Sequence, residues 1–227
     1  MCSKFSIIAA MVVVASAAVP LSSAGAVSIL NGSFEIGVDP GSFTNLNAGS
    51  TNITDWTIAS GNIDYIGDYW TAADGSRSLD MNGLAPGSIS QVVTGLTFGQ
   101  QYEVTFELAG NPAGGPDQKT LQLSAGVGTN NYTFDISGHS LSSMGWVFEH
   151  FFFTADGGSD TLTFASLTTG DSGNSSYPNA FGPALDNVSI SPSPLPSTWT
   201  MLFMGFIGLG FFAYRGTKKG SAAMAAA

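Results

Sequence analysis

The stretch Gln101-Tyr102-Glu103-Val104-Thr105-Phe106-Glu107-Leu108 decides the fold class of this chain. Every even-numbered position is apolar and every odd-numbered one is polar, which is the pattern of a β-strand with one buried face and one wet face. The segments 132–136 and 161–164 repeat this alternation. Further strands are predicted at 88–93, 120–124, 145–153 and 184–190, with turn sequences such as Asp74-Gly75 between the strands.

Between residues 27 and 190 no helical period, repeat or linker interrupts this pattern. Eight or nine short strands in one segment bury one face each most simply when two sheets pack together. We therefore predict a single all-β domain, a β-sandwich, at 27–190.

Charge is concentrated in this middle region. All 16 Asp and Glu residues lie between Glu35 and Asp186, where Arg77 and Lys119 are the only basic residues. The formal net charge of that region, 16 negative against two positive, is −14. Such a field repels nucleic acid and anionic lipid, and it favours cations such as Ca²⁺. The composition therefore excludes nucleic-acid binding.

The N-terminus has the features of an export signal. Residues 1–26 contain an early Lys, an apolar run of about 15 residues and the triplet Ala24-Gly25-Ala26, which fits the Ala-x-Ala cleavage pattern. The alternative is a membrane helix, but a span needs roughly 20 apolar residues. We predict a signal peptide at 1–26, whose removal would also remove Cys2, the only cysteine.

The C-terminus has three parts. A Pro-rich linker at 191–198 precedes an apolar, helix-capable run at 199–214, and a basic tail at 215–227 follows. Aromatic residues near both ends of the run and positive charge directly after it are typical of a transmembrane helix with a cytoplasmic C-terminus. The sequence thus predicts a membrane anchor with the acidic domain on the other side.

These three parts resemble the PEP-CTERM sorting signal of Gram-negative bacteria, which an exosortase reads. The matching residues are Pro194 and Pro196 of the motif, Trp199 at the start of the helix and Arg215 at the basic end, while Leu195 stands where the family usually carries Glu. The resemblance implies an exosortase-type processing enzyme as a partner. It also implies a protein anchored in the inner membrane with its domain in the periplasm, or a cell-surface or extracellular protein after processing.

The domain itself resembles a known family. The segments that carry the resemblance are Asn31-Gly32-Ser33-Phe34-Glu35, Asp55-Trp56, Asp74-Gly75-Ser76-Arg77-Ser78-Leu79-Asp80, Gly87-Ser88-Ile89-Ser90-Gln91 and Gly182-Pro183-Ala184-Leu185-Asp186-Asn187-Val188. In this order they are similar to the choice-of-anchor C domain and, more distantly, to a plant cell-wall domain of unknown function. The resemblance implies a galactose-binding-like jelly roll in an extracellular, carbohydrate-rich setting, and it brings no settled activity.

The resemblance also implies a calcium site, because galactose-binding-like modules commonly tie their first strand to their last with a structural Ca²⁺. The matching carboxylates are Glu35 near the start and Asp186 near the end, with Asp80 or backbone carbonyls of the loop 74–78 completing the set. Carboxylate and carbonyl oxygens are the ligands that calcium prefers. The alternative is that Glu35 and Asp186 are ordinary capping or hydrogen-bonded acids.

An aromatic cluster is the candidate sugar-binding surface, since exposed rings stack on sugar faces. Trp56, Tyr65, Tyr69 and Trp70 lie close together in the sequence. Tyr69 and Trp70 precede a loop of small residues and form the best exposed pair, and Trp56 is the third ligand-binding candidate. Tyr65 shares a strand face with Ile63, which predicts a place in the core.

Catalytic motifs are missing from the sequence. No Ser lies in a Gly-x-Ser-x-Gly context, His139 and His150 are the only histidines, and Glu103 and Glu107 on one strand would lie about 13.6 Å apart, too far for glycoside hydrolysis. The preferred hypothesis is an exported, surface-anchored, non-catalytic module that binds extracellular polysaccharide. The alternatives are a purely structural matrix or adhesion protein and, less favoured, an enzyme that acts on polysaccharide.

Overall fold

The computed structural model describes residues 27–170, 172–193, 201–212 and 214, so the predicted signal peptide lies outside the described residues. Within the described part of the chain there are eleven strands. In chain order they are β1 (Phe43–Asn47), β2 (Thr57–Ser60), β3 (Asn62–Ile66), β4 (Ser78–Asp80), β5 (Ser88–Thr94), β6 (Gln101–Gly110), β7 (Gln118–Ala125), β8 (Gly128–Asp135), β9 (Val147–Thr154), β10 (Ser159–Ser166) and β11 (Pro183–Pro192).

The strands form two sheets that pack together. One sheet has six strands in the order β1-β3-β4-β11-β6-β9, and the other has five in the order β2-β5-β10-β7-β8. Every pairing between neighbouring strands is antiparallel. The predicted all-β sandwich is confirmed, with more strands than the eight or nine expected, while its assignment as a galactose-binding-like jelly roll stays a prediction.

Strand β6 contains the alternating stretch 101–108, and its apolar residues lie in the core. Its four even-numbered residues from Tyr102 to Leu108 are at most 3% exposed. The Phe106 ring makes edge-to-face contacts with Tyr132 of β8 at 5.1 Å and with Phe164 of β10 at 5.3 Å, measured between ring centroids. Because β8 and β10 belong to the other sheet, these aromatic pairs join the two layers.

Strands β1, β2 and β4 were not predicted, because they are short and carry no clear apolar alternation of their own. Strand β4 has only three residues, Ser78-Leu79-Asp80, and all three are buried. It lies between β3 and β11 in the sheet. Its neighbours rather than its composition therefore impose the strand conformation.

The domain ends later than predicted. Strand β11 runs to Pro192, which pairs with Tyr102 of β6, so the start of the predicted Pro-rich linker belongs to the sheet. The Ser193 N–H donates to the Gln101 carbonyl of β6 at 2.9 Å, and because only alternate residues bond to one antiparallel neighbour, the N–H that Pro192 lacks is not needed for this pairing.

Part of the predicted membrane span is described. Residues 201–212 form an α-helix. In the residues that the structure covers, no helix combines the length and the apolar character required to cross a membrane. The predicted sorting residues Pro194, Pro196, Trp199 and Arg215 lie outside the described residues.

The outer face of the six-stranded sheet positions the candidate site. Leu79 and Leu185 pair across β4 and β11 and are fully buried, and the next residues, Asp80 and Asp186, point to the opposite face. Both aspartates are nevertheless at most 1% exposed. The connection from β3 to β4, residues 67–77, covers this part of the outer face, and we call it the β3–β4 loop.

Candidate functional site

A surface cavity of about 960 Å³ opens beside the β3–β4 loop. Its walls come from residues 39–42 before β1, from the β3–β4 loop and from residues 141–142. The volume is typical of a small-molecule site, for which roughly 300–1,000 Å³ is usual. The polar and aromatic residues that line the cavity include Asp39, Ser42, Asp68, Tyr69, Trp70 and Arg77.

The β3–β4 loop is fixed to the opposite wall at its first residue. The Gly67 N–H donates to the Ser42 carbonyl at 2.9 Å, and the Asp68 N–H donates to the Gly41 carbonyl at 3.4 Å. A Cβ on Gly67 would come within 2.0 Å of the Gly41 oxygen. Only glycine permits this approach, so residue 67 sets the distance between two walls of the cavity.

Tyr69 and Trp70 take different roles although they are adjacent. The half-buried Tyr69 ring packs between Phe43 at 5.4 Å and Trp70 at 5.7 Å, centroid to centroid. Trp70 is only 5% exposed, and its Nε1 donates to the Ser78 Oγ at 2.7 Å. Both residues line the cavity, but the half-buried Tyr69 leaves more of its side chain accessible than the nearly enclosed Trp70.

The prediction that Trp56 binds ligand is wrong for this conformation. Trp56 is 2% exposed, packs on Phe34 and Phe164, and donates from Nε1 to the Asn31 carbonyl at 2.9 Å. It does not line the cavity. A sugar cannot reach a ring that the core encloses on both sides, so Trp56 is a packing residue. Tyr65, predicted to be in the core, is 1% exposed.

Glu35 holds the C-terminal end of the β3–β4 loop, at residues 76–77. Its Oε1 accepts the backbone N–H groups of Ser76 at 2.8 Å and Arg77 at 2.7 Å, and its Oε2 accepts the Ser76 hydroxyl. Partial burial alone would raise the pKa of Glu35, but the hydrogen bonds from Ser76 and Arg77 outweigh it and lower the pKa. Gly75 has φ +64°, and a Cβ there would meet the Glu35 carboxylate at 2.5 Å.

Asp186 holds the same loop at residues 73–74, just before the segment that Glu35 holds. Its Oδ2 accepts the backbone N–H groups of Ala73 and Asp74, each at 2.9 Å, and its Oδ1 accepts the Asn187 N–H at 2.7 Å. Burial raises the pKa of Asp186 to about 7 despite these bonds. Together, Glu35 and Asp186 form a carboxylate clasp that fixes the loop to the first and last segments of the domain.

Asp80 belongs to a separate buried network. Its Oδ1 accepts the N–H groups of Asn82 and Gly182, and its Oδ2 accepts the Asn111 side-chain amide. Burial, and then the nearby charge of Asp64, raise the pKa of Asp80 to about 7. These contacts tie strand β4 to the loops that follow β4 and β6 and to the loop that precedes β11. None of the three partner residues lines the cavity.

The three carboxylates predicted to share a calcium ion are not arranged to do so. Asp80 binds partners of its own, while Glu35 and Asp186 meet different N–H groups of the β3–β4 loop. The three carboxylates therefore accept hydrogen bonds at separate places rather than facing one shared point, and this set does not fit a calcium site. Over the residues that the structure describes, no three His, Cys, Asp or Glu side chains come together to hold a metal ion. Calcium binding by the protein stays a prediction.

Arg77 is the only basic side chain among the described residues that line the cavity. Its Nη1 donates to the Tyr65 hydroxyl at 2.9 Å and to the Gly37 carbonyl at 3.3 Å, and its guanidinium carbon lies 5.5 Å from the centre of the Tyr65 ring. These contacts hold the guanidinium group in place beside the cavity.

The two histidines lie away from the cavity lining. His150 Nδ1 is 2.6 Å from Glu103 Oε1 on the outer face of β9 and β6, and the His139 ring packs against Phe134 at 5.1 Å. Neither contact assembles a nucleophile with a base.

Sequence reasoning missed most of the cavity. Asp39, Ser42 and Asp68 carry no motif, and they meet only because Gly67 brings the two walls together. Arg77 lies inside a segment that carried the family resemblance, but nothing in that pattern pointed to a role in a cavity.

Known proteins resemble this chain at two levels. Halomucin from Haloquadratum walsbyi is 34% identical over 199 residues, which is 85% of this chain and 2% of that protein. The chain thus spans a small fraction of this curated relative's length. Among solved structures, a family 35 carbohydrate-binding module from Cellvibrio japonicus Abf62 has a TM-score of 0.43 and 12% identity over 67% of this chain and 95% of that chain. The TmCBM61 structure with β-1,4-galactotriose has a TM-score of 0.41 and 14% identity over 73% and 97%.

The family model described as "Protein of unknown function (DUF642)" matches residues 27–191, which include nearly the whole sandwich and both carboxylates of the clasp. The chain belongs to the DUF642 family.

Proposed function

We propose that this protein is an exported, non-catalytic module that binds extracellular polysaccharide in the cavity beside the β3–β4 loop. The observation that carries the proposal is the composition of that cavity, which is lined by two aromatic residues, two aspartates, hydroxyl-bearing residues and a fixed arginine around about 960 Å³. Aromatic rings pack on the C–H faces of sugars, and the polar groups bind their hydroxyls.

The site is well suited to binding because it is preorganised. The clasp of Glu35 and Asp186 fixes the β3–β4 loop through four backbone N–H groups, those of Ala73, Asp74, Ser76 and Arg77. A ligand then meets a wall that is already ordered, so little conformational entropy is lost on binding.

The proposal places the domain outside the cytoplasm. Support comes from the sequence pattern of residues 1–26 and from the resemblance of the C-terminal tail to an exosortase signal. In this proposal, an exosortase-type enzyme and the membrane are partners of the tail, and exopolysaccharide is the partner of the domain. Mass spectrometry of the protein recovered from its host tests this: a mature N-terminus at Val27 supports export, and an intact Met1 contradicts it.

A glycan panel tests the binding function. Isothermal titration of the purified protein against neutral and acidic oligosaccharides should reveal saturable binding to at least one sugar. Tyr69→Ala should weaken that binding roughly tenfold or more, because a stacking surface is lost. Tyr177→Ala is the matched control, since Tyr177 is 47% exposed and does not line the cavity.

The rival function is a purely structural or adhesive role. Protein self-association that is insensitive to every sugar, with no saturable binding in the panel, would favour that role. Released reducing ends on incubation with polysaccharide would instead indicate an enzyme.

A further inference from the structure

A row of exposed aromatic side chains follows strand β9 on the outer face of the six-stranded sheet. Phe148 is 53% exposed and Phe152 is 50% exposed, while the side chain of His150 between them is 51% exposed. Alternate residues of a strand lie about 6.8 Å apart, so the three rings extend over about 13.6 Å along one line. We call this set the β9 aromatic row.

Polar side chains accompany the row on the neighbouring strand. In the pairing of β6 with β9, Glu107 lies opposite Phe148, Thr105 opposite His150 and Glu103 opposite Phe152. Glu103 also contacts the His150 Nδ1 at 2.6 Å, which orients the imidazole ring. The β9 aromatic row and these three residues of β6 form one strip of the surface. In it, three rings lie beside two carboxylates and a hydroxyl group, and the carboxylates and the hydroxyl group accept hydrogen bonds.

The charges of this strip limit what binds to it. It carries Glu103 and Glu107 with no Lys or Arg, so polyanions such as acidic polysaccharides are repelled. A second copy of the chain meeting the strip face to face would bring the two carboxylate rows together, which is unfavourable for the same reason. An uncharged chain of sugars offers C–H faces to the rings and hydroxyl donors to the carboxylates.

Strand addition at the β9 edge is partly blocked. The Tyr132 hydroxyl of β8 donates to the His150 carbonyl at 2.8 Å and so occupies a carbonyl that an added strand would need. The side-chain face, rather than the backbone edge, is the free surface of this strand.

We propose that the β9 aromatic row is a second ligand site, which binds an uncharged polysaccharide chain lying along strand β9. The row shares no residue with the cavity beside the β3–β4 loop. The inference therefore goes beyond the proposed function, because a molecule with both sites bridges two polysaccharide chains or two stretches of one chain.

Affinity electrophoresis of the full-length protein tests the proposal. Native gels contain hydroxyethylcellulose or galactomannan, which are uncharged, or carboxymethylcellulose, which is the anionic counterpart of the first. The test variant is Phe148→Ser with Phe152→Ser, and Phe98→Ser is the matched control because Phe98 is 78% exposed outside the row. The double variant Phe148→Tyr with Phe152→Tyr keeps aromatic faces at both positions.

The wild type, the Phe98→Ser control and the double Tyr variant should be retarded in at least one uncharged gel. The double Ser variant should bind roughly tenfold more weakly or worse. Tyr69→Ala should retain the retardation, so loss of the cavity site and loss of the row are separable. Thermal melting of each variant confirms that it is folded.

Four results would overturn the proposal. The first is that neither uncharged gel retards the wild type, and the second is that the double Ser variant is retarded as strongly as the wild type. The third is that carboxymethylcellulose retards the wild type as strongly as the uncharged gels, and the fourth is that Phe98→Ser loses as much retardation as the double Ser variant. Sedimentation provides a fifth: a wild-type dimer that the double Ser variant abolishes would make the row an interface between copies.

Discussion

Replacing Asp186 by Ala should release the β3–β4 loop and destabilise the whole domain. The substitution removes the acceptor of three backbone N–H groups, those of Ala73, Asp74 and Asn187. At about 1 kcal/mol of net stability for each hydrogen bond, the free energy of unfolding should fall by about 3 kcal/mol. Because Asp186 is fully buried, water cannot replace the lost acceptor easily.

Urea unfolding followed by tryptophan fluorescence measures this change. Asp117→Ala is the matched control, since Asp117 is exposed and should alter the unfolding free energy by at most about 0.5 kcal/mol. The same Asp186→Ala protein should also lose glycan affinity, because the cavity wall is no longer ordered. A change below about 1 kcal/mol would refute the claim that the Asp186 contacts hold the loop.

Three further predictions concern the buried acids, calcium and the core. Because the pKa values of Asp80 and Asp186 are raised from 3.8 to about 7, the folded state retains protons that the unfolded state has released. These groups therefore stabilise the fold fully below about pH 4 and lose that contribution as the pH rises to about 7. The melting temperature should decline over this window, and Asp80→Asn should flatten the profile. Melting curves in excess calcium and in chelator should superimpose, because the clasp carboxylates accept backbone N–H groups. A marked drop of the melting temperature in chelator would instead show that the fold binds calcium. Trp56→Ala should cost about 3–5 kcal/mol in urea unfolding, as deletion of a buried ring does, and a cost below about 1 kcal/mol would contradict its place in the core.

The long strands could be predicted from the sequence because their own side chains specify their faces. In β6, alternation alone identifies which residues enter the core, and all four from Tyr102 to Leu108 do so. Strand β4 could not be predicted in this way. Ser78 and Asp80 are polar but buried, because neighbouring strands and the β3–β4 loop cover them. That burial depends on contacts between residues far apart in the sequence.

The clasp is the most informative difference between prediction and structure. The family resemblance implied that Glu35 and Asp186 meet near the loop 74–78, and both do contact the β3–β4 loop. The predicted chemistry was a calcium ion, whereas the partners are N–H groups. Which backbone atoms turn toward a carboxylate depends on the loop conformation, including the positive φ of Gly75, and sequence pattern does not determine that.

Lys119 illustrates a further limit of pattern reasoning. It lies on the inward face of β7 with Leu121 and Leu123 and is 0% exposed. Its Nζ donates to the carbonyls of Gly114 and Phe181, at 2.7 and 2.6 Å. A charged residue on a core face is tolerable only when such acceptors exist, and both come from loops that the alternation does not describe.

Mapping a bound sugar onto the protein tests the central claim most directly. In a titration followed by two-dimensional NMR, an oligosaccharide from the panel should shift the backbone amide signals of residues 39–42, 67–77 and 141–142, the three walls of the cavity. The shifts of all three segments should saturate over the same range of sugar concentration, and they should disappear in Tyr69→Ala. Saturable binding whose shifts avoid all three segments, or no shifts with any sugar, would contradict the assignment of the cavity as a polysaccharide-binding site.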